Sequence, residues 1–165
     1  ISSCEPCYSW NIFHSWKKGD RHKFLEGMYS ILVGAISQNT FISCEHRSGI
    51  QGNLFAFPVA FYLAKLSVID DQISHGDLHL LRLCPKAWIR TDDECRFEQI
   101  PTEFGPVNMK FHLTDDAKTL LLSFSGKWRE KPGHLVLHVP QLPGLENIVV
   151  NGKDYGLPQT INLEP

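Results

Sequence analysis

Apolar residues in the first part of the chain recur at three- and four-residue spacing, the period of an amphipathic helix. Between residues 21 and 37 they fall on one broad face, at Phe24, Leu25, Met28, Ile31, Leu32, Ala35 and Ile36. Asp20 stands just before this segment, where its carboxylate can cap the helix. Residues 54–70 are apolar nearly all round, as in a helix buried inside a helical assembly. Because so few helices cannot close a core, the pattern predicts the last hairpins of a larger helical domain.

Beyond residue 76 the pattern changes to an alternation of apolar and polar residues, the period of a β-strand. The alternation covers residues 107–113, 120–124 and 135–139, with turn residues between the runs. Asn151 and Gly152 form the dipeptide typical of a tight hairpin turn. Short strands without intervening helices are typical of a β-sandwich. The predicted fold class is therefore α+β, with helical hairpins over residues 1–76 followed by an antiparallel β-sandwich over residues 77–165.

The composition is that of a globular protein, and it argues against two classes of binding partner. The chain has 165 residues, of which 42% are hydrophobic and 21% charged, and its net charge is −2. A nucleic-acid-binding protein normally carries a basic excess, and no apolar run reaches the roughly 18 residues of a membrane helix. We therefore expect no nucleic-acid partner and no membrane partner. Since the sequence starts Ile-Ser-Ser-Cys, with no initiator Met, basic segment or apolar segment, the start does not have the pattern of a signal peptide, and we expect a processed terminus or a fragment boundary.

Cysteine spacing gives no metal or redox site. Cys4 and Cys7 have the spacing of a redox motif, but no strand-like run precedes them to place the thiols at a helix N-terminus. A zinc site would need a second ligand pair near Cys44 and His46, and the sequence offers none at the usual spacing. The sequence therefore predicts unpaired thiols, no metal and no cofactor.

Three motifs in the second half resemble a known enzyme family. Residues 78–89, which read LHLLRLCPKAWI, resemble the stretch that leads into the C-terminal β-domain of large bacterial glycoside hydrolases with an (α/α)-barrel catalytic domain. Residues 100–107 (IPTEFGPV) and 148–153 (IVVNGK) are similar to two further elements of that module. Upstream, residues 16–29 and 40–45 resemble late helices and a loop of the barrel.

The resemblance implies that the chain is the C-terminal part of a glycoside hydrolase acting on a polysaccharide or oligosaccharide. It also favours a secreted or periplasmic location. Because a few helices cannot enclose a substrate pocket, we expect the remainder of the catalytic domain, or a partner chain, to complete the enzyme. The isolated chain is expected to be inactive. The alternative is a non-catalytic module that binds carbohydrate or serves as a structural scaffold.

The candidate site lies in the loop after the amphipathic helix. Glycoside hydrolases use paired carboxylates, and Glu45 is the candidate catalytic residue in this chain. His46 and Arg47 follow it, and a nearby guanidinium can keep a carboxylate ionised. Tyr8 and Trp10 could stack on sugar rings, so with His46 and Arg47 they are the candidate substrate-binding residues. The alternative is a solvated or structurally paired Glu45, with the aromatic residues packed into their neighbours.

Overall fold

The computed structural model describes residues 5–36, 39 and 56–165, with the backbone alone for residues 5–10, 35, 56 and 57. The chain divides into a helical unit that ends at Ser67 and a β unit that begins at Val68. The helices described are α1 (Glu5–Lys18), α2 (Arg21–Ala35) and α3 (Ala56–Val68). None of these described helices is long and apolar enough to cross a membrane.

Helices α1 and α2 form a hairpin, and α2 confirms the helix that the spacing of apolar residues predicts within residues 21–37. The connection turns at Gly19, whose φ of +72° suits glycine. The Asp20 carboxylate accepts a hydrogen bond from the Lys23 backbone N–H at 3.1 Å, which confirms the predicted cap. Gly27 lets Ile12 approach closely, because a Cβ there would lie 2.3 Å from Ile12 Cγ1. Membership of this hairpin in an (α/α) barrel stays a prediction.

The β unit contains nine strands and one short 3₁₀ helix (Lys86–Trp88). The strands are β1 (Ile69–Asp70), β2 (Asp77–Leu80), β3 (Cys95–Ile100), β4 (Val107–Leu113), β5 (Thr119–Gly126), β6 (His134–His138), β7 (Asn147–Val150), β8 (Lys153–Asp154) and β9 (Thr160–Leu163). They form a four-stranded sheet in the order β1-β2-β6-β9 and a five-stranded sheet in the order β3-β4-β5-β7-β8.

The two sheets enclose one apolar core, so the α+β class and a sandwich-like β unit are confirmed. Leucines at positions 78, 80, 135 and 137 contribute from the four-stranded sheet, and alternate residues of β4 and β5 contribute from the five-stranded sheet. Strand β4 shows the alternation directly, since Val107, Met109, Phe111 and Leu113 are buried and the residues between them are not.

The prediction that the sandwich is antiparallel is wrong for two strand pairs. Strand β2 pairs with β6 in parallel, and β5 pairs with β7 in parallel, whereas the other pairs are antiparallel. Both sheets are therefore mixed. An apolar–polar alternation tells which side chains face the core, but it is the same whichever way the neighbouring strand runs. Strands that are not consecutive in the chain, such as β2 and β6, therefore had no predictable direction.

Candidate functional site

The loop predicted to hold the catalytic residue lies outside the described part of the chain. Glu45, His46 and Arg47 fall between residues 39 and 56, and nothing of their placement is described. Tyr8 and Trp10 belong to α1, but their side chains also lie outside the described residues. All five assignments therefore stay predictions. The described polar side chains that can act together lie in the β unit, where they form two groups.

The first group lines a groove of about 620 Å³ across the outer face of β3, β4 and β5. Strand pairing places Arg96 beside Lys110, and Lys110 beside Ser123, in one row across the sheet. Asn108 and Ser125 form the next row. Because β4 turns its apolar residues inward, these polar residues necessarily face away from the core.

A bulge in β3 shapes one end of the groove. The register with β4 shifts between Phe97 and Ile100, and Gln99 takes a φ of +51°. The Gln99 backbone N–H and its side-chain amide both donate to Asn108 Oδ1, at 2.8 and 3.1 Å. The Asn108 oxygen is thus occupied, while its NH₂ group has no hydrogen bond within the described residues. That amide is available to an acceptor in the groove.

The charges of the side chains that line the groove sum to about zero. Glu94 Oε1 lies 2.7 Å from Arg96 Nε, and Glu94 Oε2 lies 3.3 Å from Lys110 Nζ. Burial acts to raise the pKa of Glu94, but the hydrogen bonds from Arg96 and Lys110 outweigh burial and lower it. Glu98 adds a second carboxylate to the lining. Two anionic and two cationic side chains therefore line the groove, which favours a ligand without net charge.

Two hydroxyl groups on β5 complete the lining. Ser123 and Ser125 are exposed and have no hydrogen-bond partner in the part of the chain that the structure describes. Residues two apart on one strand are about 7 Å apart on the same face. Phe97 and Phe124 also line the groove, but Phe97 stacks on Phe111 and Phe124 is only 9% exposed. The groove therefore offers hydrogen bonds, and the half-buried Phe97 is its most accessible aromatic side chain.

The second group is a hydrogen-bonded chain on β2, β6 and the preceding loop. Ser74 Oγ donates to Asp77 Oδ2 at 2.9 Å and lies 3.0 Å from His79 Nε2. His79 Nδ1 lies 2.9 Å from His138 Nε2. His134 Nδ1 lies 2.7 Å from Asp77 Oδ1. The hydrogen bonds from His134 and Ser74 lower the pKa of Asp77, and burial lowers the pKa of His79.

Two buried carboxylates next to this chain have structural partners. Asp70 is fully buried and accepts hydrogen bonds from Arg82 Nε at 3.0 Å and Nη2 at 2.9 Å. It also accepts from the backbone N–H groups of Gln72 and Ile73. Asp71 Oδ2 accepts from the Glu103 backbone N–H at 2.8 Å. These hydrogen bonds fix the start of the loop formed by residues 71–76, so we assign a structural role to both carboxylates.

The histidine chain is not predictable from the sequence, because its members meet through the parallel pairing of β2 with β6. The only sequence signal is that His79 and His138 occupy the polar phase of their strands. Within the described residues no group of three His, Cys, Asp or Glu side chains is placed to hold a metal ion. The buried Cys84 thiol donates a hydrogen bond to the Pro85 carbonyl oxygen at 3.5 Å, and Cys95 is a free thiol. Comparison of the whole chain with protein-family models, with curated proteins and with solved structures finds no match.

Proposed function

We propose that this chain is the C-terminal part of a glycoside hydrolase and that its β unit is an accessory module that binds carbohydrate. The resemblance of its motifs supports the first part. The motif at residues 100–107 spans the turn between β3 and β4, and the motif at residues 148–153 spans the β7–β8 hairpin. The observation that carries the second part is the groove across β3, β4 and β5, with its unpartnered hydroxyl groups.

The chemistry of the groove suits a neutral, hydroxyl-rich ligand. The Asn108 amide can donate, and the Ser123 and Ser125 hydroxyls can donate or accept, so successive sugar hydroxyls find partners along β5. The ion pairs of Glu94 hold the Arg96 and Lys110 side chains at the groove wall. We expect binding to rely mainly on hydrogen bonds that each contribute about 1 kcal/mol net. We expect a dissociation constant on the order of 1 mM.

In this proposal the β unit binds carbohydrate and does not catalyse its hydrolysis. Glu94 is kept ionised by Arg96 and Lys110, which makes it a poor proton donor at neutral pH. A catalytic carboxylate is assigned to Glu45, and its partner to the rest of the enzyme. This division of roles explains why the isolated chain is expected to be inactive toward an activated aryl glycoside. Turnover by the pure chain would contradict it.

Affinity electrophoresis of the 165-residue chain in gels containing neutral or uronate polysaccharides tests the binding proposal. We expect retardation by at least one neutral polysaccharide and none by the uronates. Ser125→Leu places an apolar side chain in the groove and should abolish the retardation. Thr160→Leu makes a similar change on an exposed position of β9 in the other sheet and should not.

Far-UV circular dichroism of both variants checks that each is folded. If the folded wild-type chain is retarded by no polysaccharide, or if Ser125→Leu and Thr160→Leu bind alike, the groove is not the binding site. The β unit is then a structural scaffold, which is the alternative that the sequence leaves open.

A further inference from the structure

A second cavity lies at the edge of the β unit, between strand β3 and the 3₁₀ helix. Its volume is about 320 Å³, and it is lined by Ala87, Trp88, Arg90, Asp93, Cys95 and Phe97. Cys95 is the register partner of Phe111, which is fully buried in the core. Because side chains alternate along a strand, Cys95 and Phe97 lie on the core side of β3, whereas Arg96 faces the groove. The cavity and the groove therefore lie on opposite sides of the same strand.

The aromatic side chains of this cavity leave room for a ligand on one ring and not between two rings. The ring centroids of Trp88 and Phe97 are 6.4 Å apart, and the ring planes are tilted by 37°. That separation is typical of two rings in direct contact, so no third ring fits between them. Both side chains are only half-buried, so each keeps an accessible surface. The cavity therefore suits a ligand that has one apolar face.

Asp93 adds to the cavity an exposed carboxylate that has no hydrogen-bond partner among the residues that the structure describes. Arg90, by contrast, is paired with Asp92, since its Nε donates to Oδ1 at 2.7 Å and its Nη2 donates to Oδ2. A carboxylate accepts hydrogen bonds and cannot donate them, so the group that binds Asp93 must be a donor such as a hydroxyl. With Arg90 already neutralised, the charge of Asp93 disfavours an anionic ligand.

One ligand can reach both the cavity and the groove, because Phe97 lines both of them. Strand β3 is the outermost strand of its sheet. Over the described part of the chain no further strand pairs with the outer edge of β3, so this edge presents unpaired backbone N–H and C=O groups. A bound chain that leaves the groove across this edge therefore meets polar backbone groups and then the cavity.

We propose that the cavity is a subsite for one sugar residue of the neutral saccharide in the groove, with the sugar ring on Trp88 and its hydroxyl groups donating to Asp93. The inference rests on the proposed binding of carbohydrate by the β unit. A pyranose ring has an apolar C–H face and hydroxyl groups around it, so it meets both requirements of the cavity. The segment that carries Trp88 is fixed at both ends, because the Trp88 N–H donates to Pro85 O at 3.0 Å and the Leu113 N–H donates to Arg90 O at 2.7 Å. The subsite is therefore largely formed before the ligand binds, which limits the entropy lost on binding.

Alkylation of Cys95 tests the subsite directly, because this half-buried thiol lines the cavity. Burial and the nearby Asp93 carboxylate raise the pKa of the Cys95 thiol, so its alkylation is slow enough to follow. The 165-residue chain is treated with iodoacetamide, with and without cellotetraose, maltotetraose, xylotetraose or mannotetraose, and peptide mass spectrometry gives the rate at Cys95. At about 10 mM, roughly ten times the expected dissociation constant, at least one tetraose should slow this alkylation about tenfold. Sorbitol, which has the hydroxyl groups without the ring, should not slow it.

Two variants test the two contacts of the sugar, and each is compared with and without the tetraose. Asp93→Ala removes a charged acceptor from an exposed position, so it should weaken binding about tenfold and reduce the slowing of alkylation to about twofold. Asp115→Ala is the matched control, because Asp115 is an exposed turn carboxylate that lines neither cavity, and it should keep the full effect. Trp88→Leu removes the ring and should lose the effect, and far-UV circular dichroism checks that this variant is folded.

Gel retardation of the wild-type chain, measured in parallel, separates this inference from the proposed function. Retardation without protection of Cys95 would overturn the subsite and leave carbohydrate binding by the groove in place. Absence of both would overturn both, whereas protection of Cys95 without retardation would support the cavity and exclude the groove. Equal protection in Asp93→Ala and Asp115→Ala, or equal protection by sorbitol and the tetraose, would also overturn the subsite.

Discussion

At the scale of single residues, the buried Asp70–Arg82 pair is expected to have a large effect on stability. Asp70 has no exposed surface, and the Arg82 side chain is 11% exposed. The buried charge of Asp70 is tolerated because it accepts hydrogen bonds from Arg82 and from the backbone N–H groups of Gln72 and Ile73. Removing one charge breaks an ion pair that is shielded from water, and the cost of breaking such a pair exceeds what the intact pair contributes.

We predict that Asp70→Asn lowers the free energy of unfolding by about 3 kcal/mol, as expected for breaking a buried pair. Urea denaturation followed by circular dichroism measures the change. Asp92→Asn is the matched control, because Asp92 pairs with Arg90 on the surface, where both side chains are more than half exposed. A loss in the control as large as that in Asp70→Asn would show that burial is not the cause.

At the scale of elements, the turn that connects β3 to β4 depends on Gly105. Thr102 and Gly105 exchange two backbone hydrogen bonds of 3.2 Å, and Thr102 Oγ1 donates to Gly105 O at 2.6 Å. Gly105 has a φ of +126° and lies against the Lys127 carbonyl oxygen, which a Cβ would approach to 2.3 Å. The turn therefore excludes every other residue on two grounds, conformation and contact.

Gly105→Ala should destabilise the chain by about 3 kcal/mol, as the sum of backbone strain and a backbone clash. Gly144→Ala separates the two contributions, because Gly144 has a φ of +79° but nothing within 4 Å of its Cβ position. The control should lose only about 1 kcal/mol. Thermal unfolding of both variants is the measurement, and equal losses would mean that the contact with Lys127 is relieved at no cost.

The elements also show what the sequence could and could not predict. Asn151 and Gly152 have φ values of +49° and +80° at the β7–β8 turn, so the hairpin signal is confirmed. The two turn residues are enough to predict this hairpin, because their own backbone preferences set the geometry of the turn. The groove takes its shape from the bulge at Gln99, and the members of the histidine chain meet because β2 pairs with β6. Both depend on partners distant in sequence, which alternation does not report.

At the scale of the whole molecule, the β unit begins before the first run of strand-like alternation. The sequence places the boundary after residue 76, and the structure divides the chain after Ser67. Ile69 is fully buried and pairs with Leu80, and the Leu81 backbone N–H donates to Val68 O at 2.8 Å. The first strand is only two residues long, too short for its alternation to be recognised.

We predict that a fragment of residues 68–165 unfolds cooperatively, because it keeps the whole apolar core. A fragment of residues 77–165 lacks β1 and leaves Arg82 without Asp70, so it should be less stable by at least about 3 kcal/mol. Urea unfolding of the two fragments, compared with the 165-residue chain, measures the difference. Equal stability would support the boundary predicted at residue 76, which stays a prediction.

The parallel pairing of β2 with β6 also sets the order in which the chain can fold. Strands β3, β4 and β5 are consecutive and antiparallel, so they can pair as soon as each is synthesised. Leu78 pairs with Leu135, which is synthesised later. At about 5–20 residues per second, the ribosome takes several seconds to synthesise the chain between these two residues. Throughout that time the edge of β2 that later pairs with β6 has unpaired N–H and C=O groups. A nascent chain is therefore most exposed to aggregation between the synthesis of these two strands, and a chaperone that protects extended segments would act there.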